Sequence, residues 1–415
     1  MNATNSRDDS KHSDFRQDTI FFKLDEEEKR KLDEELKKRK QNSDHLPMDI
    51  ILEILSRSSA KSVATFGLAS KFYASMLSRP DFTDLFLTRS STRPRLLFAV
   101  EYYREWWFFS SPQPQNPDKK PRFALDADLQ MVFPGNRCPK ISGPVSGLVL
   151  FPSIRFSKKD KSVEVPVICN PSTGQNQTLP KLTRISTWTS FLGYDSIGKQ
   201  YKVLTISTSL RGSRKEEGQI LTLPSTGKLS WRNIKLLNHY PTSEGICIDG
   251  VLYYQACITI EVEKIACFDV RHEELSFLNY PRARYPSYSS STKLINYKGK
   301  LGVISWHWEG PDYIKPICGL RLCLCILEDA KKQEWLQLKY TFPANVVVEG
   351  DVSLAGVTTT GEIIFSMDYT SKCFFVFYFN PERNTLTKVG IQGFGGCCAK
   401  VYTFVDYTED LKFMK

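Results

Sequence analysis

The sequence lacks several features that would point to a membrane protein or an enzyme. Its 415 residues contain no run of about 18 apolar residues, the length that a membrane-spanning helix requires. The opening stretch "MNATNSRDDSKHSDF" has no apolar core of the kind found in secretory signal peptides. There is no GxSxG motif, no phosphate-binding P-loop and no Rossmann glycine pattern. We therefore expect neither membrane association nor catalytic residues in this chain.

Histidine is scarce, and the cysteines are not spaced for metal binding. The 5 histidines lie far apart and none of the 11 cysteines forms a CxxC pair. Zinc sites need paired ligands at close spacing, so we predict no metal and no other cofactor. Cys323 and Cys325 share one strand face and are interpreted as small hydrophobic side chains. A long chain rich in cysteine and without a signal peptide suggests a reducing compartment, so we expect the nucleus, the cytoplasm or both.

The charge balance is basic, with a formal net charge of +10. Such a balance can favour nucleic acid or an acidic surface. The Lys and Arg residues are scattered over the second half of the chain without a dense block, so we do not expect nucleic-acid binding. The run Lys37, Lys38, Arg39 and Lys40 has the composition of a nuclear localisation signal, with a solvated helix end as the alternative. It belongs to residues 1–44, a polar region that we predict to be disordered or a frayed helix.

Residues 45–90 have the pattern of a small helical domain. Pro47 suits a first helical position, and Asp49 is favourable in a first turn. One apolar stripe follows, formed by Ile50, Ile51, Ile54 and Leu55. A second helix is predicted in "KSVATFGLASKFYASML", where the residues at helical spacing are Val63, Phe66, Ser70, Tyr73 and Leu77. The first stripe is too apolar for a lone exposed helix, so we expect it to pack against another surface.

From residue 93 the pattern changes to short apolar runs separated by turn residues. A strand–turn–strand unit recurs six times and aligns at Pro112, Pro171, Pro224, Val270, Glu328 and Pro381. Between these copies lies a second recurring hairpin, for example "GICIDGVLYYQA", with a Gly or Asp-Gly turn. A period of about 50 residues is typical of a four-stranded kelch-type propeller blade. We predict an α+β multidomain protein whose residues 93–415 form an all-β, kelch-like propeller of about six blades, closed by the strand in "AKVYTFVDYTEDLKFM". A β-sandwich is the alternative.

The stretch "LPMDIILEILSRSSAKSVATFGLASKFYASMLSRPDFTDLFL" resembles the plant form of the F-box. The resemblance is carried by Leu46, Pro47, Asp49, Ile50, Glu53, Ile54, Leu55, Arg57, Lys61, Ser62, Phe66, Ser70, Lys71 and Tyr73. The sequence has Ser58-Ser59 where the family has Leu-Pro, Gly67-Leu68-Ala69 where it has Arg-Cys-Val, and Tyr73 where it has Trp. The β half, including "RPRLLFAVEYYREWWFFSSPQPQNP" and "VYTFVDYTEDLK", resembles the type 3 F-box-associated domain.

This resemblance implies a substrate-recognition adaptor of a Skp–cullin–F-box ubiquitin ligase. The helical motif would dock to a Skp-type linker subunit, and through it to a cullin–RING ligase, while the β domain presents a target protein. The implied Skp-binding residues are Leu46, Pro47, Ile50, Ile51, Ile54, Leu55, Val63, Phe66, Ser70 and Tyr73. Some of these could instead form the motif's own small core, and one sequence does not sort them.

Aromatic residues suggest where a target could bind. Trp and Tyr are frequent anchors of protein interfaces, and "SWHWEGPDYI" brings together Trp306, Trp308 and Tyr313. Packing between blades is the alternative for each of them. The target itself is not named by the sequence. Two further hypotheses stay open: an interaction or regulatory protein outside any ligase with a weakened F-box, and a propeller enzyme with a polar central pocket.

Overall fold

The computed structural model describes residues 46–103, 105–114, 124–134, 141–158, 161–182, 187–208, 218–223, 228–259, 262–281, 291–309, 319–341, 351–371, 373–395 and 398–411. Residues 1–44, with the basic run at positions 37–40, lie outside this part of the chain, as does Tyr313. Asp49–Lys415 form one compact unit, and Leu46–Met48 are the described end of a separate one. Within the described ranges there are four helices, and none is both long and apolar enough to cross a membrane.

The helices are α1 (Met48–Ser56), α2 (Ala60–Leu68), α3 (Lys71–Leu77) and α4 (Pro80–Ser91), and serine side chains cap the starts of α2 and α3. The Ser59 hydroxyl accepts a hydrogen bond from the Ser62 N–H at 3.2 Å, at the start of α2. Ser70 has an extended backbone, and its hydroxyl accepts from the Tyr73 N–H, also at 3.2 Å. The prediction of a single helix through this stretch is therefore wrong, because Ser70 leaves the helical conformation and caps α3.

The rest of the chain forms six sheets, and each is one blade of a propeller. Blade 1 contains β1 (Arg95–Tyr102), β2 (Glu105–Pro112), β4 (Asp128–Pro134) and β26 (Lys400–Tyr407). Blade 2 contains β5 (Ser142–Val145), β6 (Leu148–Lys158), β7 (Lys161–Asn170) and β8 (Gln175–Thr178). Blade 3 contains β9 (Thr187–Asp195), β10 (Gln200–Thr208), β11 (Gly218–Thr222) and β12 (Arg232–Ile234).

The second half of the ring repeats this antiparallel arrangement. Blade 4 contains β13 (Tyr240–Pro241), β14 (Ile246–Ile248), β15 (Val251–Thr259), β16 (Val262–Asp269) and β17 (Leu275–Asn279). Blade 5 contains β18 (Ser291–Tyr297), β19 (Lys300–Glu309), β20 (Gly319–Asp329) and β21 (Glu334–Thr341). Blade 6 contains β22 (Val352–Val357), β23 (Ile363–Met367), β24 (Phe374–Asn380) and β25 (Thr385–Gln392), with the short β3 (Leu125–Asp126) added in parallel to β25.

The ring is closed by strands from the two ends of the β region. The innermost strands contact one another in the order β26, β5, β9, β14, β18, β22 and back to β26. The innermost strand of blade 1 is β26, which pairs antiparallel with β1. The prediction that the last strand closes the ring is confirmed, and so is the count of six blades.

Apolar side chains fill the spaces between consecutive blades. Along β1, Leu96, Phe98 and Val100 pack against blade 6. Leu97 and Ala99 alternate with them and pack against blade 2. Because successive residues of a strand point to opposite faces, the continuous apolar run of this one strand contributes to two cores. Each of the other boundaries between neighbouring blades has its own buried cluster.

The recurring sequence units correspond to fixed parts of the blades. The aligned strand–turn–strand copies fall on the third and fourth strands, with the turn between them. At four of these turns a side-chain oxygen accepts hydrogen bonds from the backbone N–H groups two and three residues further on. The accepting residues are Asn170, Asp269, Asp329 and Asn380. The second recurring hairpin joins the first strand of a blade to its second. The repeat was therefore predicted in the correct register.

Candidate functional site

The helical segment has a small core of its own. Its buried members are Leu55, Ala60, Val63, Leu77, Phe82, Phe86 and Leu411. Leu55 is 8% exposed and Val63 is 2% exposed, so neither offers a surface to a partner. Their predicted role in Skp binding is corrected, since these two side chains hold the helices together. Ile51 and Phe66 are half-buried against the same core.

Other apolar side chains of the helices remain on the surface. Ile50 and Ile54 are exposed one turn apart on α1. Leu68, at the end of α2, is 61% exposed, and Phe72, at the start of α3, is 59% exposed. We call Ile50, Ile54, Leu68 and Phe72 the docking residues. Leu46 and Pro47, which precede α1, are also exposed.

Sequence reasoning missed Leu68 and Phe72. A single continuous helix would place Ser70 on the same stripe as Val63 and Phe66, and this assumption left Leu68 and Phe72 off the predicted surface. The serine cap was the signal that could have separated the two helices, because Ser is a preferred N-cap residue and interrupts the helical period.

Charged residues fasten α1 to the last helix and to the start of the β region. Glu53 accepts hydrogen bonds from Arg57 at 2.6 Å and from Arg89 at 3.0 Å. The hydrogen bond from Arg57 and the nearby Arg89 charge hold the pKa of the Glu53 carboxyl below its usual value, against the opposing effect of burial. Arg93, just before β1, donates to the carbonyl of Ser56 at 3.3 Å and to that of Arg57. Arginine at a helix C-terminus satisfies carbonyls that have no partner within the helix.

The helices sit at one particular face of the propeller. β1 begins at Arg95, which pairs with Pro112 of β2 and Tyr407 of β26. In blades 2 to 6, this side carries the turn from the first strand to the second and the turn from the third strand to the fourth. On the same side, Lys199 in the first turn of blade 3 pairs with Asp84 of α4 at 2.8 Å. The connections from second to third strands, and those from one blade to the next, leave from the opposite side. We call this opposite side the far face.

Exposed apolar side chains of the propeller concentrate on the far face. Those on its connections and adjoining strand ends are Tyr103, Leu237, Tyr240, Ile258, Val262 and Tyr369. Trp306 is not among them, because its side chain is 8% exposed and packs in the cluster between blades 5 and 6. Its predicted role at a target surface is corrected to packing, the alternative left open by the sequence. The backbone of Trp308 pairs with Leu320 in the same blade.

A shallow open cavity of about 400 Å³ lies over α2, lined by Lys61, Ser62, Thr65 and Phe66. Lys61 also donates to the carbonyl of Leu129 in blade 1 at 3.4 Å. In the part of the chain that the structure describes, no three His, Cys, Asp or Glu side chains are grouped to hold a metal ion.

Comparison with known proteins identifies the family. A profile described as "F-box associated beta propeller domain" matches residues 95–408. Putative F-box protein At5g52620 of Arabidopsis thaliana is 52% identical over 386 residues, covering 91% of this chain and 100% of the relative. The chain belongs to the F-box protein family. F-box protein At3g57590 of the same plant is 47% identical over 384 residues (89% and 92% of the two chains), and F-box protein DOR is 43% identical over 386 residues (91% and 96%).

The departures of this F-box from the family pattern can now be placed in the structure. Ser59, where the pattern has Pro, caps α2 through its hydroxyl. Tyr73, where the pattern has Trp, packs its ring against Phe66 with centroids 4.5 Å apart. Gly67 lies close to α3, since a β-carbon there would be 3.5 Å from Leu77. Ser59, Gly67 and Tyr73 therefore each have a local structural role in the F-box helices.

Proposed function

We propose that this F-box protein is a substrate-recognition adaptor of a Skp–cullin–F-box ubiquitin ligase. The observation that carries the proposal is the exposure of the four docking residues on the F-box helices, beside a core formed by other apolar residues of the same helices. Burying one such side chain against a partner is worth roughly 1.5–3 kcal/mol before the cost of association. Together they would supply the apolar part of an interface with a Skp-type subunit.

The propeller would present the target protein. The far face supports this role because it points away from the F-box and, among the residues that the structure describes, carries most of the exposed large apolar side chains of the propeller. Trp308 belongs to β19, and we retain it, together with Tyr313, as a candidate target contact. Ubiquitin transfer itself would fall to other subunits of the ligase, so the adaptor needs no catalytic residue.

An adaptor of this kind works where the ligase is found, so we assign the protein to the nucleus, the cytoplasm or both. The basic run Lys37–Lys40 is the candidate signal for nuclear import. Its removal from a fluorescent fusion should shift the protein out of the nucleus if the signal is used. An unchanged distribution would leave this run as a solvated helix end.

Calorimetry with a plant Skp-type subunit tests the adaptor function directly. We expect the wild-type chain to bind and Ile54→Asp to weaken binding by roughly 1.5–3 kcal/mol, about 10- to 100-fold, because an exposed apolar contact is replaced by a charge. Ile258→Asp is the matched control: Ile258 is exposed on the far face, on the opposite side of the propeller from the F-box helices, and its replacement should leave affinity unchanged.

The outcome separates the adaptor from the second hypothesis. A folded wild-type chain that does not bind the Skp-type subunit would contradict the adaptor function. The protein would then be an interaction or regulatory protein that acts outside the ligase. Equal loss of affinity in Ile54→Asp and Ile258→Asp would show that an added charge weakens binding wherever it is placed, and not through the docking residues.

A further inference from the structure

The four residues after the last strand connect the propeller to the F-box. β26 ends at Tyr407, and Thr408–Leu411 continue beyond it. Leu411 is 1% exposed and packs in the F-box core with Leu55 and Val63. The F-box precedes the propeller in the sequence, yet its core is completed by Leu411, which follows the propeller.

Glu409 makes a second contact with the F-box. Its side chain is buried, and its carboxylate lies near enough to the backbone N–H of Ala60, at the start of α2, for that N–H to stabilise the negative charge. The first N–H groups of a helix have no partner within the helix and favour a negative charge. Burial raises the pKa of the Glu409 carboxyl, while Arg95 and the Ala60 N–H oppose that shift, with Arg93 and Asp128 also close enough to act on it.

The same segment is fixed to blade 2 from its other side. The carbonyl of Asp410 accepts a hydrogen bond from Asn170 Nδ2 at 2.9 Å in a buried environment. Gly147 lies directly against it, since a β-carbon at Gly147 would be 2.7 Å from the β-carbon of Asp410. One residue earlier than the segment, the Tyr407 hydroxyl lies 2.6 Å from that of Ser172. The segment is therefore held by the ring and the F-box at once.

We propose that Thr408–Leu411 act as an intramolecular latch that orders the F-box only when the propeller ring is closed. The latch directly follows β26 in the chain. The pairing of β26 with β1, which completes blade 1, therefore also places Leu411 and Glu409 against the F-box helices. Leu411, Glu409 and Asn170 are positioning residues for the docking residues. The consequence for the ligase rests on the proposed function: a Skp-type subunit would engage only fully folded chains, with the far face at a fixed orientation.

Asn170 offers a sharp test because its two functions can be separated. Its Oδ1 accepts the N–H of Ser172 at 3.0 Å in the blade turn, and its Nδ2 holds the latch. In Asn170→Asp the turn acceptor remains, and Asp269 and Asp329 make this same turn in blades 4 and 5. The donor to Asp410 is lost. The matched control is Asn380→Asp, at the equivalent turn of blade 6.

Hydrogen exchange by mass spectrometry reads out the F-box helices without any partner. We expect amides of α1 and α2 to exchange about tenfold faster or more in Asn170→Asp, as a buried hydrogen bond to the latch is lost. Exchange in the strands of blades 3 to 5 should be unchanged, and Asn380→Asp should match the wild type throughout. Calorimetry with the Skp-type subunit should then show weaker binding by Asn170→Asp alone.

A second variant decides the matter if Asn170→Asp disturbs the ring itself. Leu411→Asp places a charge in the F-box core while leaving every blade residue in place, and a chain ending after Leu411 serves as its control. Faster exchange in α1 and α2 with protected blades supports the latch. Wild-type protection of both helices in Leu411→Asp overturns it. Failure of the wild-type chain to bind the Skp-type subunit would contradict the adaptor function but leave the exchange result, and hence the latch, unaffected.

Discussion

Single charged residues strengthen the boundary between blades 3 and 4. Glu273, in the last turn of blade 4, accepts a hydrogen bond from Lys202 of β10 at 2.7 Å and another from Arg232 of β12. Burial alone would raise the pKa of the Glu273 carboxyl, but these hydrogen bonds and positive charges outweigh it and lower the pKa. The carboxylate is therefore stabilised by contacts that exist only when the two blades are packed together.

We expect Glu273→Gln to lower the free energy of unfolding by about 1–3 kcal/mol at pH 7, as charge-assisted hydrogen bonds are weakened in a partly buried site. Because the folded-state pKa is lowered, the contribution is present above the unfolded-state pKa and is lost as pH falls through the folded-state value. Urea unfolding should therefore show the difference from wild type shrinking below about pH 4.

Glu382→Gln is the control for this pair. Glu382 lies 3.4 Å from Lys298, and its side chain is 78% exposed, so we expect a change of no more than about 0.5 kcal/mol. Equal effects of the two substitutions, or a difference for Glu273→Gln that does not depend on pH, would contradict the assignment of stability to the ion pair between blades.

At the scale of elements, the β region was predicted better than the helices. The strands repeat in sequence, so each of the recurring turns was seen several times, and the side chains of Asn170 and Asp269 that set them are explicit in the sequence. The helical segment occurs once. Its apolar period continues across Ser70, so the pattern alone did not show where α2 ends and α3 begins.

Only part of the candidate site was predicted, because the sequence pattern of the helices shows an apolar stripe but not which of its residues are buried. Ile50 and Ile54 were placed on the surface stripe, whereas Leu55 was assigned to that stripe although it is buried. Which residue of an apolar stripe is buried depends on the elements packed against it. One of these is Leu411, which lies at the opposite end of the sequence, and no local pattern could have revealed this contact.

Ser70 was predicted to contact the Skp-type subunit, but the structure uses it as a helix cap. We expect Ser70→Ala to cost about 0.5–2 kcal/mol of stability, since the Tyr73 N–H loses its acceptor. Ser70→Asp should retain most of the stability because Asp also caps helices well. Thermal melts of the three proteins measure this order.

Binding to the Skp-type subunit distinguishes the cap from a direct contact. If Ser70 acts only as a cap, Ser70→Asp should bind with wild-type affinity. A stable Ser70→Asp variant that has lost affinity would mean that the hydroxyl itself contacts the partner, as the sequence had suggested.

At the scale of the whole molecule, closure of the ring depends on one strand. β26 supplies the inner edge of blade 1, and its Val401 belongs to the cluster between blades 6 and 1. In that cluster the ring of Phe98 meets those of Phe374 and Phe394 at centroid distances of 5.8 and 4.9 Å. The two ends of the β region are therefore joined by the hydrogen bonds between β1 and β26 and by aromatic packing between blades 6 and 1.

Removal of β26 should open the ring. A chain ending at Ala399 leaves β1 as an unpaired edge beside an apolar cluster, and such edges promote association between chains. We expect this truncation to bind a hydrophobic dye, to lose its cooperative thermal transition and to aggregate. A chain ending after Leu411 should melt like the wild type. A synthetic peptide of residues 400–411 should restore the transition of the truncated chain by adding the missing strand. Cooperative melting of the truncated chain at the wild-type temperature, without the peptide, would mean that five complete blades and three strands of blade 1 hold the ring without closure by β26.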